Sequence, residues 1–68
     1  MNKFAKRLKE LREEKGFSKT KLAKELNTTE ANICRWENGT RSPNIDSIIL
    51  LCQYFKCTSD YLIGLTDF

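Results

Sequence analysis

Five residues within one short stretch, Thr29, Glu30, Ala31, Asn32 and Arg35, bring together a hydroxyl, a carboxylate, a methyl, an amide and a guanidinium. These groups match what base pairs display in the major groove of a DNA duplex. Hydroxyl, amide and guanidinium pair with ring nitrogens and carbonyl oxygens, a carboxylate accepts from cytosine N4, and a methyl touches thymine. Catalysis has far less to work with. The chain has no His, so the commonest general base and metal ligand is missing, and 68 residues leave little room for a shielded pocket. Cys34, Cys52 and Cys57 show neither the paired spacing of zinc sites nor the even count of a disulfide framework. They read as reduced thiols, Cys52 and Cys57 as small core residues, and the sequence signals neither a depressed pKa nor exposure at Cys34. No catalytic residue, metal or cofactor is expected.

The elements that must hold those five residues can be read from punctuation and periodicity. Phe4, Leu8 and Leu11 recur at helical spacing until Gly16 supplies a left-handed stop, which predicts a first helix over about Asn2 to Lys15. Ser18 is an N-cap for a second helix reaching about Glu25, with Leu22, Ala23 and Leu26 on its inner stripe. Asn27 tolerates positive φ and predicts a tight turn. Thr28 and Thr29 then offer the next N-cap, and Ile33 with Trp36 faces inward along a third helix ending at Asn38-Gly39. Asn44 caps a fourth helix whose Ile45, Ile48, Leu51, Cys52 and Phe55 form a broad stripe expected to be buried. Thr58 caps a short fifth helix over about 58–63. No segment alternates with a period of two, so the expected class is all-α: a compact five-helix fold, one domain over 1–68, with a helix-turn-helix at about 18–38 formed by helices two and three.

Charge agrees with a polyanionic partner. Residues 1–26 hold nine Lys/Arg against four Glu, whereas residues 43–68 hold Lys56 against Asp46, Asp60 and Asp67. The positive front half suits nucleic acid approached from one side, and the bland reading is a solvated basic surface. The uncharged run 48–55 contains Gln53 and falls far short of the roughly 20 apolar residues of a membrane span. Lys and Glu throughout the first 15 residues exclude a secretory signal, so the expected location is the cytoplasm, on the nucleoid through DNA.

One family fits these features. The string Leu8-Lys9-Glu10-Leu11-Arg12, Gly16-Phe17-Ser18, Leu22-Ala23, Leu26, Ile33, Trp36-Glu37-Asn38-Gly39, Pro43, Leu51, Phe55 and Asp60-Tyr61-Leu62-Ile63-Gly64 resembles the lambdoid-repressor and Cro-like helix-turn-helix proteins, the XRE-type regulators. The resemblance covers nearly the whole chain without a gap. The family usually has Gln where Lys19 stands, Gly at Asn27, Ala at Cys52 and Gly at Lys56. Lys19 turns an amide into a point charge, leaving base contact and phosphate contact both open there.

The resemblance implies that helix three is a recognition helix, with Thr29, Glu30, Ala31, Asn32 and Arg35 reading bases or adjacent phosphates. Arg35 is the leading candidate, since a guanidinium bonded to guanine O6 and N7 discriminates by about 1–3 kcal/mol; its bland reading is a solvated arginine paired with a carboxylate. Glu30 has two readings, acceptance from cytosine or a favourable place at the helix dipole. Phosphate anchors are expected at Ser18 and Lys19, and after helix three at Asn38, Thr40 and Arg41. Lys3, Lys6, Lys9, Lys21 and Lys24 read as a solvated face or long-range steering. In the family the positions of Arg12 and Glu37 pair beneath the recognition helix, which makes them structural, and Trp36 reads as core.

Because one helix in one groove discriminates too little, a homodimer on two half-sites is expected. Tyr61, Leu62, Leu65 and Phe68 are its expected contact, the alternative being that Leu65 and Phe68 fold back onto the chain. The function implied is a sequence-specific regulator of the phage repressor or Cro type on double-stranded DNA. An antitoxin or other protein-binding module, with a toxin or antirepressor protein as partner, is the alternative, and an enzyme would need a nucleophile and base the chain does not display.

Overall fold

A computed structural model of the chain describes residues 3–66. It contains five helices and no strand among the described residues: α1 (Lys3–Glu14), α2 (Lys19–Glu25), α3 (Glu30–Asn38), α4 (Ile45–Phe55) and α5 (Ser59–Ile63). Side-chain oxygens start four of them. Ser18, Thr29, Asn44 and Thr58 each accept from the backbone N–H three residues on, at Lys21, Asn32, Ser47 and Tyr61, supplying partners to amides that have none inside the helix. Left-handed residues stop the helices: Gly39, Lys56 and Gly64 cap α3, α4 and α5, and Asn27 at φ 56° follows α2.

The inner faces meet in one core of Phe4, Leu8, Leu22, Ala23, Leu26, Ile33, Trp36, Leu51 and Leu62. α3 lies between α1 and α2, while α5 packs on α1 and α4. Arg7 ties the chain's end to α1. Its guanidinium donates to the carbonyl oxygens of Tyr61 and Thr66 and stacks 4.3 Å from the Tyr61 ring centroid, where a cation meets the negative face of the ring.

Two sequence expectations need correction. Ile45 does not join the buried stripe of α4; it is 75% exposed. At about 100° per residue it stands about 120° round the helix from Leu51, the α4 residue that is fully buried, so the stripe narrows to Leu51 with Ile48, Cys52 and Phe55 partly covered. Leu62 is not surface for a second subunit. It is wholly buried in the chain's own core, because α5 must bury one large aliphatic group to dock at all. Of its expected companions, Tyr61 is half-buried against Arg7, Leu65 is 75% exposed and does not fold back, and Phe68 lies outside the described residues.

Candidate nucleic-acid interface

The turn between α2 and α3 is fixed by backbone bonds. Thr28 N–H donates to Ala23 O at 2.9 Å and Asn27 N–H to Lys24 O at 3.2 Å, the paired closure that a left-handed residue after a helix permits. Leu22, Ala23, Leu26, Ile33 and Trp36 are buried between the two helices and the rest of the core, so α2 and α3 form one rigid corner. A further bond crosses it: Thr20 Oγ1 donates to Glu30 Oε2 at 2.7 Å.

Helical geometry sorts the side chains of α3. Opposite buried Ile33 and Trp36, at about 100° per residue, stand Ala31, Arg35 and Asn38, all exposed. Glu30 and Asn32 flank this strip, and Thr29 caps the helix with Oγ1 accepting from Asn32 N–H at 3.1 Å. Asn32 is half-buried and its Nδ2 donates to Thr28 Oγ1 at 3.0 Å. Asn38 Nδ2 donates to Cys34 Sγ at 3.4 Å. Arg35 is exposed and has no hydrogen bond or ion pair from its side chain among the described residues. The strip is therefore a methyl, an amide and one unengaged cation, flanked by Glu30 and Asn32.

Candidate phosphate contacts sit at both ends of the corner. Ser18 is exposed at the start of α2 with Lys19 next to it, half-buried. Asn38 is the last residue of α3 rather than a residue beyond it, so it belongs with the outer strip. Thr40 Oγ1 donates to Arg35 O at 3.3 Å, and the backbone N–H groups of Thr40 and Arg41 converge on the same carbonyl. Arg41 then borders a cavity of about 260 Å³ lined also by Thr28, Asn32, Ser42, Asn44 and Ser47. Thr20, Ser42 and Ser47 have no role in the sequence reading, and Thr28 and Asn44 appear there only as helix caps; the polar residues scattered between Asn38 and Ser47 are the signal that points to most of them.

Beneath the strip, Arg12 Nε donates to Glu37 Oε2 at 2.7 Å and a second guanidinium nitrogen to Oε1 at 3.2 Å, while a third bond reaches Phe17 O at 2.7 Å. The side chains are 10% and 3% exposed. The hydrogen bond to Glu37 holds the Arg12 guanidinium above its ordinary pKa against the opposing effect of burial. This fork joins α1 to α3 from below and faces away from solvent, so it positions the outer strip without being part of it.

The helix-turn-helix family profile matches residues 8–62. The chain belongs to this helix-turn-helix family, in its XRE or Cro/C1-type branch. It is 34% identical over 61 residues to the HTH-type transcriptional regulator ImmR of Bacillus subtilis (strain 168), covering 90% of this chain and 48% of ImmR. It is 31% identical over 61 residues to the HTH-type transcriptional activator BcrR of Enterococcus faecalis, covering 90% of this chain and 30% of BcrR. The chain thus spans about half the length of one relative and less than a third of the other. A transcriptional regulator from Listeria innocua superposes with a TM-score of 0.87 at 30% identity, over 94% of this chain and 60% of that one. The P22 c2 repressor, solved in complex with a synthetic operator, superposes with a TM-score of 0.86 at 22% identity, over 94% and 97% of the two chains, which is a likeness of fold. The five-helix arrangement is accordingly that of the lambdoid repressor domains.

Proposed function

We propose that this chain binds double-stranded DNA sequence-specifically as a transcriptional regulator of the repressor type, with α3 in the major groove. The observation that carries the reading is the outward strip of Ala31, Arg35 and Asn38 on a corner rigidly closed from behind, with the Arg35 guanidinium exposed and without an internal partner. Arg35 reads guanine, Asn32 and Thr29 read or brace beside it, and Ser18, Lys19, Thr40 and Arg41 hold phosphates. The transcriptional regulators among its relatives, one of them an activator, support a role in transcriptional regulation. No helix among the described residues is long and apolar enough to cross a membrane.

The regulator acts as a homodimer in this proposal. The chain measures 28 × 23 × 21 Å along its principal axes, shorter than the roughly 34–36 Å between half-sites on one face of a duplex. One copy cannot reach both. Among the described residues, Ile45, Ile49, Leu50, Ile63 and Leu65 are the large aliphatic groups left exposed and available to a second copy.

A mobility-shift titration against fragments of the promoter region of its own operon, at several salt concentrations, tests both statements. One fragment should be retained at lower protein concentration than the rest. Retention should weaken steeply as salt rises, since condensed counterions are released on binding. Halving the site should cost most of the preference. Equal retention of every fragment overturns the proposal.

A further inference from the structure

The helix-turn-helix reading makes no use of the corner where α4 meets α5. There Lys56 adopts a left-handed conformation at φ 55°, and the N–H of Cys57 donates back to the carbonyl of Cys52 at 3.1 Å. This six-residue closure is the one that sets the side chain of the residue after the cap against that of the residue opening the loop. Here both are thiols. Through that 3.1 Å bond the two Cα atoms lie at most about 7 Å apart, and a disulfide spans about 4.4–6.8 Å. Both cysteines are half-buried and pack against the core. Cys57 also lines an open cavity of about 600 Å³ with Leu11, Phe55, Lys56, Thr58 and Tyr61, whereas Cys52 does not line it. Burial, and after it the neighbouring Cys52 thiol, pushes the Cys57 thiol above its ordinary pKa.

We infer that Cys52 and Cys57 form a dithiol modification site that low-molecular-weight disulfides convert into an internal disulfide, entering at Cys57. The Cys57 sulfur, on losing its proton, attacks one sulfur of the reagent; that S–S bond breaks, and the departing thiolate takes a proton. Cys52, deprotonated in turn, attacks the Cys57 sulfur of the mixed disulfide and expels the second thiolate, which is also protonated. Two protein thiols are oxidised to one S–S bond and the reagent disulfide is reduced to two thiols. This inference does not depend on the DNA-binding proposal.

Trypsin separates the three cysteines, because cleavage after Lys24, Arg35, Arg41 and Lys56 places them on peptides 25–35, 42–56 and 57–68. The full chain is treated with oxidised glutathione, quenched with iodoacetamide, digested and weighed by mass spectrometry. Peptides 42–56 and 57–68 should appear joined, with loss of alkylation at both, while 25–35 stays alkylated. Cys52→Ser should instead trap a glutathionyl group on 57–68. Closure of the Cys57 mixed disulfide by Cys52 should slow by about tenfold or more in denaturant, where the fold no longer orients the two sulfurs. A glutathionyl group that persists on peptide 57–68 of the unsubstituted chain overturns the inference. So does full alkylation of both peptides, or closure of the mixed disulfide at equal speed in denaturant.

Discussion

Glu30 and Arg35 stand five positions apart on α3, and their partners separate their roles. Glu30 accepts from Thr20 at 2.7 Å through Oε2, so part of its acceptor capacity already ties α2 to α3. Arg35 has nothing to give up. Replacing it with alanine should therefore relax preference at one base pair by about 1–3 kcal/mol. Lys19→Ala should weaken every sequence nearly equally and lower the salt slope by about one. Titrations of site variants at two salt concentrations measure both, and the same loss profile from both substitutions contradicts the assignment. Glu37 makes a different case, because it never reaches the surface. Glu37→Ala leaves the Arg12 guanidinium charged, nine-tenths covered and deprived of two of its hydrogen bonds. The expected cost is about 3 kcal/mol, the low end for breaking a buried pair, since Phe17 O still accepts from Arg12. The double variant Arg12→Met/Glu37→Leu should lose less than Glu37→Ala in urea denaturation; an additive loss argues against a coupled pair.

At the scale of elements, the helix ends are governed by chemistry within a few residues. Ser18, Thr29, Asn44 and Thr58 cap because their oxygens are short enough to reach an amide three residues on, and this reach depends on nothing distant. That is why element order, turn position and inner faces of α1 to α3 are legible in the sequence. What the sequence hides is set by neighbours that arrive from elsewhere in the chain. Ile45 has the residue type of a core position and no element opposite it; Leu62 has the type of an exposed contact and all of α1 and α4 around it. Of the candidate site, residue types and helix were legible, while the Thr20 bond to Glu30 and the cavity beside Arg41 required the packed corner. The same distinction predicts how two glycines differ. Gly16 at φ +72° faces open space, whereas a Cβ on Gly64 at φ +90° would lie 2.5 Å from Lys3 Cβ. Gly16→Ala should thus cost only the left-handed penalty of about 1–2 kcal/mol. Gly64→Ala should cost more, because α5 must shift off α1 as well. Urea midpoints of the two variants check this, and equal midpoints would contradict it.

For the molecule as a whole, alkaline pH probes how the α4 flank is held to the rest. Tyr54 stands between Phe17 and Phe55, with ring centroids 6.1 and 5.3 Å away, and its hydroxyl donates to Glu25 at 3.2 Å. Burial first, then the Glu25 charge and hydrogen bond, raises its pKa; Cys57 is raised by burial and by Cys52. Both groups keep in the folded state a proton that the unfolded chain releases at lower pH. Where the unfolded chain binds fewer protons, stability falls as pH rises. Their contribution is complete below the unfolded thiol and phenol values, about 8.5 and 10, and is lost as pH climbs from there through the higher folded values. The urea midpoint should accordingly fall as pH climbs from about 8, where the thiol begins to act, to beyond about 10, where the phenol joins it. Tyr54→Phe and Cys57→Ala should each flatten that fall while leaving α3 and its outer strip untouched. A decline of the same steepness in both variants would assign the alkaline sensitivity to other groups and remove Tyr54 and Cys57 as its source.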